Sequence, residues 1–312
     1  MRTWGFLNII CFSWPRLQGT KGGVKTIIIA IISSACISAL VSTGAAAAVG
    51  TGPYFKGPVG LQLYSLRDAF KQDVAGTLDL AKSYGPKIAE LAGTYNLTPA
   101  QFKKELDARG IKGIGNHFDY NLFKTDPEAV AKDAQALGLK YAGVAWIPHT
   151  GKFTEPDARN AAAVFNKAGE VLAKYGMKFY YHNHGYEFEP YQDGTLMDIL
   201  VNETKPEWVA FQMDVLWSFF PGQDPVKLLK KYGNRWELMH LKDLKKGVKT
   251  GDLTGGTDVE NDVVLGTGQI DLAATLKAAA EVGVKYYFIE DESPRAKEQI
   301  PQSLKFLENV SW

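Results

Sequence analysis

Eight short runs rich in β-branched and aromatic residues alternate with eight segments of helical spacing, and that alternation leaves the chain very few folds. The runs are "VGLQLY" (Val59–Tyr64), "KIAELA" (Lys87–Ala92), "IKGIGNHF" (Ile111–Phe118), "LKYAGVAW" (Leu139–Trp146), "MKFYYHNH" (Met177–His184), "WVAFQMD" (Trp208–Asp214), "WELMHLKD" (Trp236–Asp243) and "VKYYFIE" (Val284–Glu290). Between them stand segments such as "VAGTLDLAKSYG", "TPAQFKKELDARG", "PEAVAKDAQALG" and "DLAATLKAAAEVG", with Lys297–Asn309 as the last. Several close on Gly, and Pro99, Pro127 and Pro156 stand at or near first turns, as helix ends prefer. The pattern predicts a single α/β (β/α)8 TIM barrel. A doubly wound open sheet would call for a Gly-rich phosphate fingerprint after the first strand, and there is none. One longer insert, Lys245–Gln269, follows the seventh strand; its Gly, Thr and Asp content reads as a loop over the active face.

The opening of the chain is of another kind. Lys25 precedes "TIIIAIISSACISALVSTG" and then "AAAAVG", the cationic start, apolar run and small residues of a secretory signal, with cleavage expected near Ala46–Ala48. The rival is an uncleaved anchor, but no basic stop-transfer cluster ends the run. The expected division is a leader over 1–48, translation starting near Val24, and the barrel over 49–312. Both cysteines, Cys11 and Cys36, fall in the leader, so the expected mature chain has neither disulfides nor thiolate chemistry. The protein is expected to be exported, periplasmic or secreted, touching a membrane only through the signal segment.

Charge is nearly balanced, with 35 Lys+Arg against 34 Asp+Glu among 312 residues. Four of the basic residues (Arg2, Arg16, Lys21, Lys25) precede residue 50, leaving 31 against 34 beyond it. That is not the basic footprint of a nucleic-acid binder.

Rare polar residues collect at strand ends. His117 ends the third run, His149 follows the fourth, His182 and His184 end the fifth, and His240 falls near the end of the seventh; Asp214 ends the sixth and Glu290 the eighth. In a barrel these positions converge on one mouth. Any one of them alone is more often a hydrogen-bonded structural residue, or for Asp214 a helix N-cap, but none of the five histidines lies on a predicted helix. Residues two apart share a side of a strand, so His182 and His184 both face the mouth while Asn183 points away. His182 or His184, with Asp214, His240 and Glu290, gives a mixed N/O set suited to one divalent Mn, Co, Zn or Fe ion. Glu187 stands past the strand, its direction open.

Several motifs together resemble the xylose isomerase-like TIM barrels, the sugar isomerase/epimerase superfamily. They are "VGLQLYSLRD", "AEL", "HNHGYEF", "MDVLW", "HLKD" and "LGTGQIDL", in order along Val59–Asn309. The resemblance implies one divalent metal held at the ends of strands five to eight, at His182, Asp214, His240 and Glu290. Many epimerases of the superfamily carry Glu where His182 stands, and use two metal-side glutamates to exchange a proton; here Glu290 is kept and only Glu187 could serve as the other. The His-x-His fifth strand is similar to the inosose-dehydratase branch and to exported relatives acting on 3-keto-sugars and 3-keto-glycosides.

The implied function is a metal-dependent sugar or keto-sugar isomerase or epimerase that removes a proton next to a carbonyl through a metal-stabilised enediolate. A lyase or hydratase of the dehydratase type on 3-keto-sugars or 3-keto-glycosides is the alternative, and a non-catalytic sugar-binding barrel a further one. An endonuclease-IV-like reading needs a multi-zinc cluster and a DNA-binding face, against the charge. The acid/base candidates are His184, Glu187 and Glu290. Substrate contacts are expected from His117, Trp146, Trp217, Lys242, Arg67 and Glu90. Lys242 is expected to turn away from the side of His240, and Asp243 to share it. The expected partner is a small sugar or keto-sugar; an oligomer is compatible with the sequence.

Overall fold

The computed structural model describes residues 48–312. The leader, its signal, its cleavage site and both cysteines therefore lie outside the described residues. Eight parallel strands form one sheet: β1 (Val59–Gln62), β2 (Ile88–Leu91), β3 (Lys112–Asn116), β4 (Tyr141–Val144), β5 (Lys178–His182), β6 (Val209–Asp214), β7 (Trp236–Leu241) and β8 (Tyr286–Ile289). Each lies inside its predicted run and is shorter.

Each strand is followed by a helix: α1 (Val74–Ser83), α2 (Pro99–Ala108), α3 (Pro127–Ala136), α4 (Glu155–Ala173), α5 (Leu196–Asn202), α6 (Pro225–Tyr232), α7 (Leu272–Val282) and α8 (Ala296–Asn309). Their starts are written locally. Asp73, Asp126 and Asp271 accept N–H bonds from the first turns of α1, α3 and α7, and Thr98 forms a capping box with Gln101 ahead of α2.

The strands pair in the order β3-β2-β1-β8-β7-β6-β5-β4. Between β3 and β4 the link is thinner: one parallel bridge, His117 to Gly143, with Phe118 N donating to Gly143 O at 2.7 Å. The barrel is nearly closed rather than ladder-paired all round. Its helix-facing layer is a continuous apolar core. Inside, a second core of Ile114, Tyr141, Tyr180, Ala210, Leu238 and Phe288 fills the lower half. Glycine makes room for the large rings, since a Cβ on Gly143 would stand 2.6 Å from the Tyr180 ring and one on Gly60 2.9 Å from Phe288. Each buried aromatic stabilises by about 1.5–3 kcal/mol. This apolar plug raises a floor beneath the mouth, and the polar layer rests on it.

Candidate metal centre and pocket

Strand alternation aims Gln62, Glu90, His182, Gln212, Asp214 and His240 into the upper barrel, all of them buried. Glu90 is at their centre. Its carboxylate accepts from Gln62 Nε2 (2.5 Å), Tyr180 Oη (2.6 Å) and Gln212 Nε2 (2.7 Å), and is bonded to His240 Nε2. Burial would raise the Glu90 carboxyl, but His240 and His117 hold it below its ordinary value. Burial would likewise lower His240, and Glu90 and Glu290 hold it well above its ordinary value.

These bonds set which face each histidine offers. Because Gln212 Nε2 donates to Glu90, Gln212 Oε1 is the acceptor for His182 Nδ1 (3.0 Å) and His117 Nε2 (3.1 Å). His182 Nε2 is left with its lone pair, 3.9 Å from Asp214 Oδ2. His240 gives Nε2 to Glu90 and turns Nδ1 to Glu290 Oε2 (3.1 Å) and Asp214 Oδ2 (3.7 Å). An imidazole that binds a cation through one nitrogen and a carboxylate through the other is a common metal-ligand arrangement.

Asp214 answers both readings of a strand-end aspartate, one with each oxygen. Oδ1 caps the following turn, accepting from Trp217 N at 2.8 Å; Oδ2 is buried without a hydrogen-bond partner. Burial raises this carboxyl above its ordinary value, against the pull of Lys242. A buried, unpartnered carboxylate oxygen is costly unless something positive meets it. Donor atoms of Asp214, His240 and Glu290 lie within 4.8 Å of one another, as do those of His117, His182 and His240. The cluster can hold a metal ion, and its mixed N/O donors suit a transition metal.

Above the cluster opens a cavity of about 440 Å³, lined by His117, His182, His184, His240 and Glu290 with Trp146, Trp217 and Tyr64 as aromatic walls. No lysine or arginine lines it among the described residues. His184 Nδ1 is buried and unpartnered. Burial, with the Lys242 charge next, pushes this imidazole down to about 3, so it is neutral at ordinary pH. Burial would raise Glu290, but Lys242 and His240 hold it well below the usual carboxylate range.

Five expectations are corrected. Glu90, expected to contact substrate, is fully buried with its carboxylate spent on four side chains, and it does not line the cavity. Glu187 does not line the cavity. It is fully buried in the turn Tyr186–Phe188, bonded to Tyr181 Oη and accepting from His184 N at 2.8 Å. Tyr181 packs outward against Phe165, so the carboxylate follows it into the helix-facing layer. Lys242 shares the side of His240, as residues two apart must. It is buried with Glu290 (3.3 Å), Asp262 (3.5 Å) and Glu292, so it ties the Lys245–Gln269 insert to the end of β8 instead of lining the cavity. Asp243 turns to the other side, where its carboxylate accepts from the N–H groups of Leu244, Gly266, Gly268 and Ile270. That is the structural content of the "LGTGQI" motif. Arg67 donates to Glu292 O (2.8 Å) and Tyr64 O (3.2 Å) and stays out of the cavity.

His149 also stands outside, in the β4–α4 loop, stacked on Trp146. Gln62, Gln212 and Tyr180 went unnoticed in the sequence. Period two would have found Gln212, two residues before Asp214, and Tyr180, two before His182.

The family model described as the xylose isomerase-like TIM barrel matches residues 78–310. A protein named inosose dehydratase, from Clostridium botulinum (strain Alaska E43 / Type E3), is 30% identical over 63% of this chain and 74% of its own length. Among such curated relatives the matched share runs from 32% to 80% of the relative's length. A crystal structure of a sugar phosphate isomerase/epimerase from Parabacteroides distasonis ATCC 8503 is 26% identical, with TM-score 0.66 over 81% of this chain and 96% of that one. The IOLI protein, solved with a zinc atom, is 18% identical with TM-score 0.65, covering 81% and 97%, a likeness of fold.

Proposed function

Starting from the fact that the chain belongs to the xylose isomerase-like TIM barrel family, we propose that it is a metal-dependent enzyme on an unphosphorylated cyclic keto-sugar or keto-polyol, and that it eliminates water from it. The observation that carries this reading is a buried, unpartnered Asp214 Oδ2 beside His182, His240 and Glu290, three residues that line the cavity together with one uncommitted base, His184.

His182, Asp214, His240 and Glu290 would hold the ion. When bound, it supplies Lewis-acid stabilisation of the negative charge that forms on a carbonyl oxygen as the neighbouring C–H proton leaves. The chain's own residues do the rest. Glu90 and Gln212 fix the rings of His240 and His182. Neutral His184 accepts the proton from the carbon beside the carbonyl and returns it to the hydroxyl on the next carbon, which departs as water. One base suffices for that transfer. Proton exchange between two metal-side glutamates is weakened, because Glu187, the candidate to stand opposite Glu290, is turned away from the cavity. Among the described residues no lysine or arginine lines the cavity, which speaks against a phosphate group.

Relatives named inosose dehydratase support the elimination reading. A second reading, isomerisation, is also a one-base transfer, and the sugar phosphate isomerase/epimerase likeness favours it. Export of the mature chain remains part of the proposal, in keeping with an unphosphorylated substrate.

The test is to load the full chain with Mn, Co or Zn and follow keto-inositol and 3-keto-glucose by NMR in heavy water. Expected is metal-dependent loss of water to an enone, absent from the Asp214→Ala/His240→Ala variant, which also loses its bound metal. Deuterium entering the α-carbon with an isomeric product and no enone would replace elimination by isomerisation. Neither exchange nor product would sink the enzymatic reading.

A further inference from the structure

Resting on the reading of the cavity as a keto-sugar site, we infer that Glu292 orients the sugar there, its carboxylate accepting a hydrogen bond from a ring hydroxyl remote from the carbonyl.

Glu292 stands two residues past Glu290, and both line the cavity. Asp291 between them is engaged elsewhere, its Oδ1 accepting from Ser293 N (2.9 Å) and Ser293 Oγ (2.7 Å). Lys242 Nζ meets three carboxylates: Asp262 at 3.5 Å, Glu290 at 3.3 Å and Glu292 Oε1 at 2.5 Å. One ammonium does not require three, and like charges gathered around it repel one another. The third carboxylate is also the most open, with 22% of the Glu292 side chain exposed against 8% for Glu290 and 5% for Asp262. Its Oε2 accepts no hydrogen bond among the described residues. A carboxylate gripped at one oxygen and uncommitted at the other, on a cavity wall, is an acceptor for a ligand O–H.

The residue is held on both sides of its backbone. Glu292 N donates to the buried Asp262 Oδ2 at 2.9 Å, and Glu292 O accepts from Arg67 Nη2 at 2.8 Å. Arg67 Nη1 donates in turn to Tyr64 O at 3.2 Å, and the guanidinium lies 4.6 Å from the Tyr64 ring centre. Arg67 thus ties Glu292 to Tyr64, a partly exposed aromatic wall of the same cavity. A preorganised acceptor beside an aromatic face fits a neutral sugar ring, whose rim donates O–H groups and whose C–H face packs on the aromatic. His184 follows β5 and Glu292 follows β8, three strands apart in the order β8-β7-β6-β5. The base and the acceptor therefore meet a bound ring from different sides. That matters chemically, because a cyclic ketone has two carbons beside its carbonyl. A grip on a remote hydroxyl decides which of the two is presented to His184.

Calorimetric titration of the metal-loaded full chain with keto-inositol and its monodeoxy analogues tests this. Glu292→Ala is expected to weaken keto-inositol binding about 10–100-fold, the loss of one hydrogen bond to a charged group. Glu292→Gln, which keeps the size and one acceptor oxygen, should weaken it less. Both substitutions leave Lys242 with Asp262 and Glu290, and melting temperatures check that both variants fold. One monodeoxy analogue is expected to bind the unaltered chain weakly and to be insensitive to Glu292→Ala, because the missing hydroxyl and the substitution remove the same bond. A loss equal for keto-inositol and every analogue would make Glu292 a structural partner of Lys242 and overturn the inference. Monodeoxy analogues that all bind the unaltered chain as tightly as keto-inositol would overturn it without any variant. The two readings separate. A matched loss without turnover of keto-inositol leaves Glu292 as a sugar-binding residue and removes the enzyme, whereas turnover with an unmatched loss does the reverse.

Discussion

Two buried glutamates inside the same barrel do opposite work. At the bottom, Glu237 accepts from Lys178 (2.6 Å), Lys285 (2.8 Å) and Tyr141 (2.7 Å), drawing β4, β5, β7 and the approach to β8 together. At the mouth, Glu90 also takes a tyrosine, Tyr180, but its other partners are two amides and His240. Lysines neutralise a carboxylate permanently. Amides and an imidazole leave it able to orient rings whose outer nitrogens stay available. Both carboxylates are buried, and they differ in their partners.

The comparison can be broken most severely at the mouth. His184→Ala is expected to lower kcat by about 10²–10⁴-fold with little change in metal content, the magnitude of a lost general base. Steady-state rates beside elemental analysis check it; a variant that keeps near-normal kcat removes His184 from the chemistry. Glu90→Gln should cost roughly 10–100-fold in metal affinity or activity, the usual effect of removing the carboxylate behind a ligating histidine. Equilibrium dialysis with Zn or Mn reads it, and unchanged affinity would make Glu90 a packing residue.

At the bottom the same substitution should be felt as stability alone. Glu237→Gln is expected to cost about 1–2 kcal/mol, discounted because Lys285 is half exposed, and to leave kcat within about twofold. Burial would raise the Glu237 carboxyl, but Lys178, Lys285 and Tyr141 hold it below its ordinary 4.5. Its contribution is therefore present above that pH and lost on acidification through the depressed value, so the variant's melting temperature should fall less steeply in acid. A large loss of activity would erase the distinction between the two ends.

Glu187 gives the smallest and sharpest contrast, a buried carboxylate with neither lysines nor the pocket. Burial pushes it up to about 7 from its ordinary 4.5, against hydrogen bonds from Tyr181 and the His184 and Glu187 N–H groups. The folded state holds a proton that the unfolded chain has released, so stability declines as pH rises across that window. Glu187→Gln should flatten the decline, read as melting temperature between about pH 4.5 and 7. An unchanged slope would mean that Glu187 is already ionised there.

Much of this was legible from local pattern. All eight strands lie within their predicted runs, and His117, His182, His184, His240 and Glu290 do line one cavity, with Asp214 buried beside His182 and His240, because where a β-run ends is written in the run itself. Trp146 and Trp217 also fall on its wall. Glu90 was visible as a polar residue in an apolar strand but not as the hub, since its partner His240 is 150 residues away. Arg67 and Glu187 misled because both stand just past a strand end, where period two no longer fixes direction.

The sequence by itself determined the alternation of elements, the end of the barrel where chemistry would gather and the donor types gathered there. Each of these depends on spacing within a few residues. Only the tertiary structure decided which nitrogen of His182 and His240 faces the cluster, that Lys242 is spent on three carboxylates, that Glu187 turns outward and that Glu292 joins the cavity wall. Those outcomes depend on hydrogen bonds and packing between strands and loops far apart in the chain, which no local period encodes.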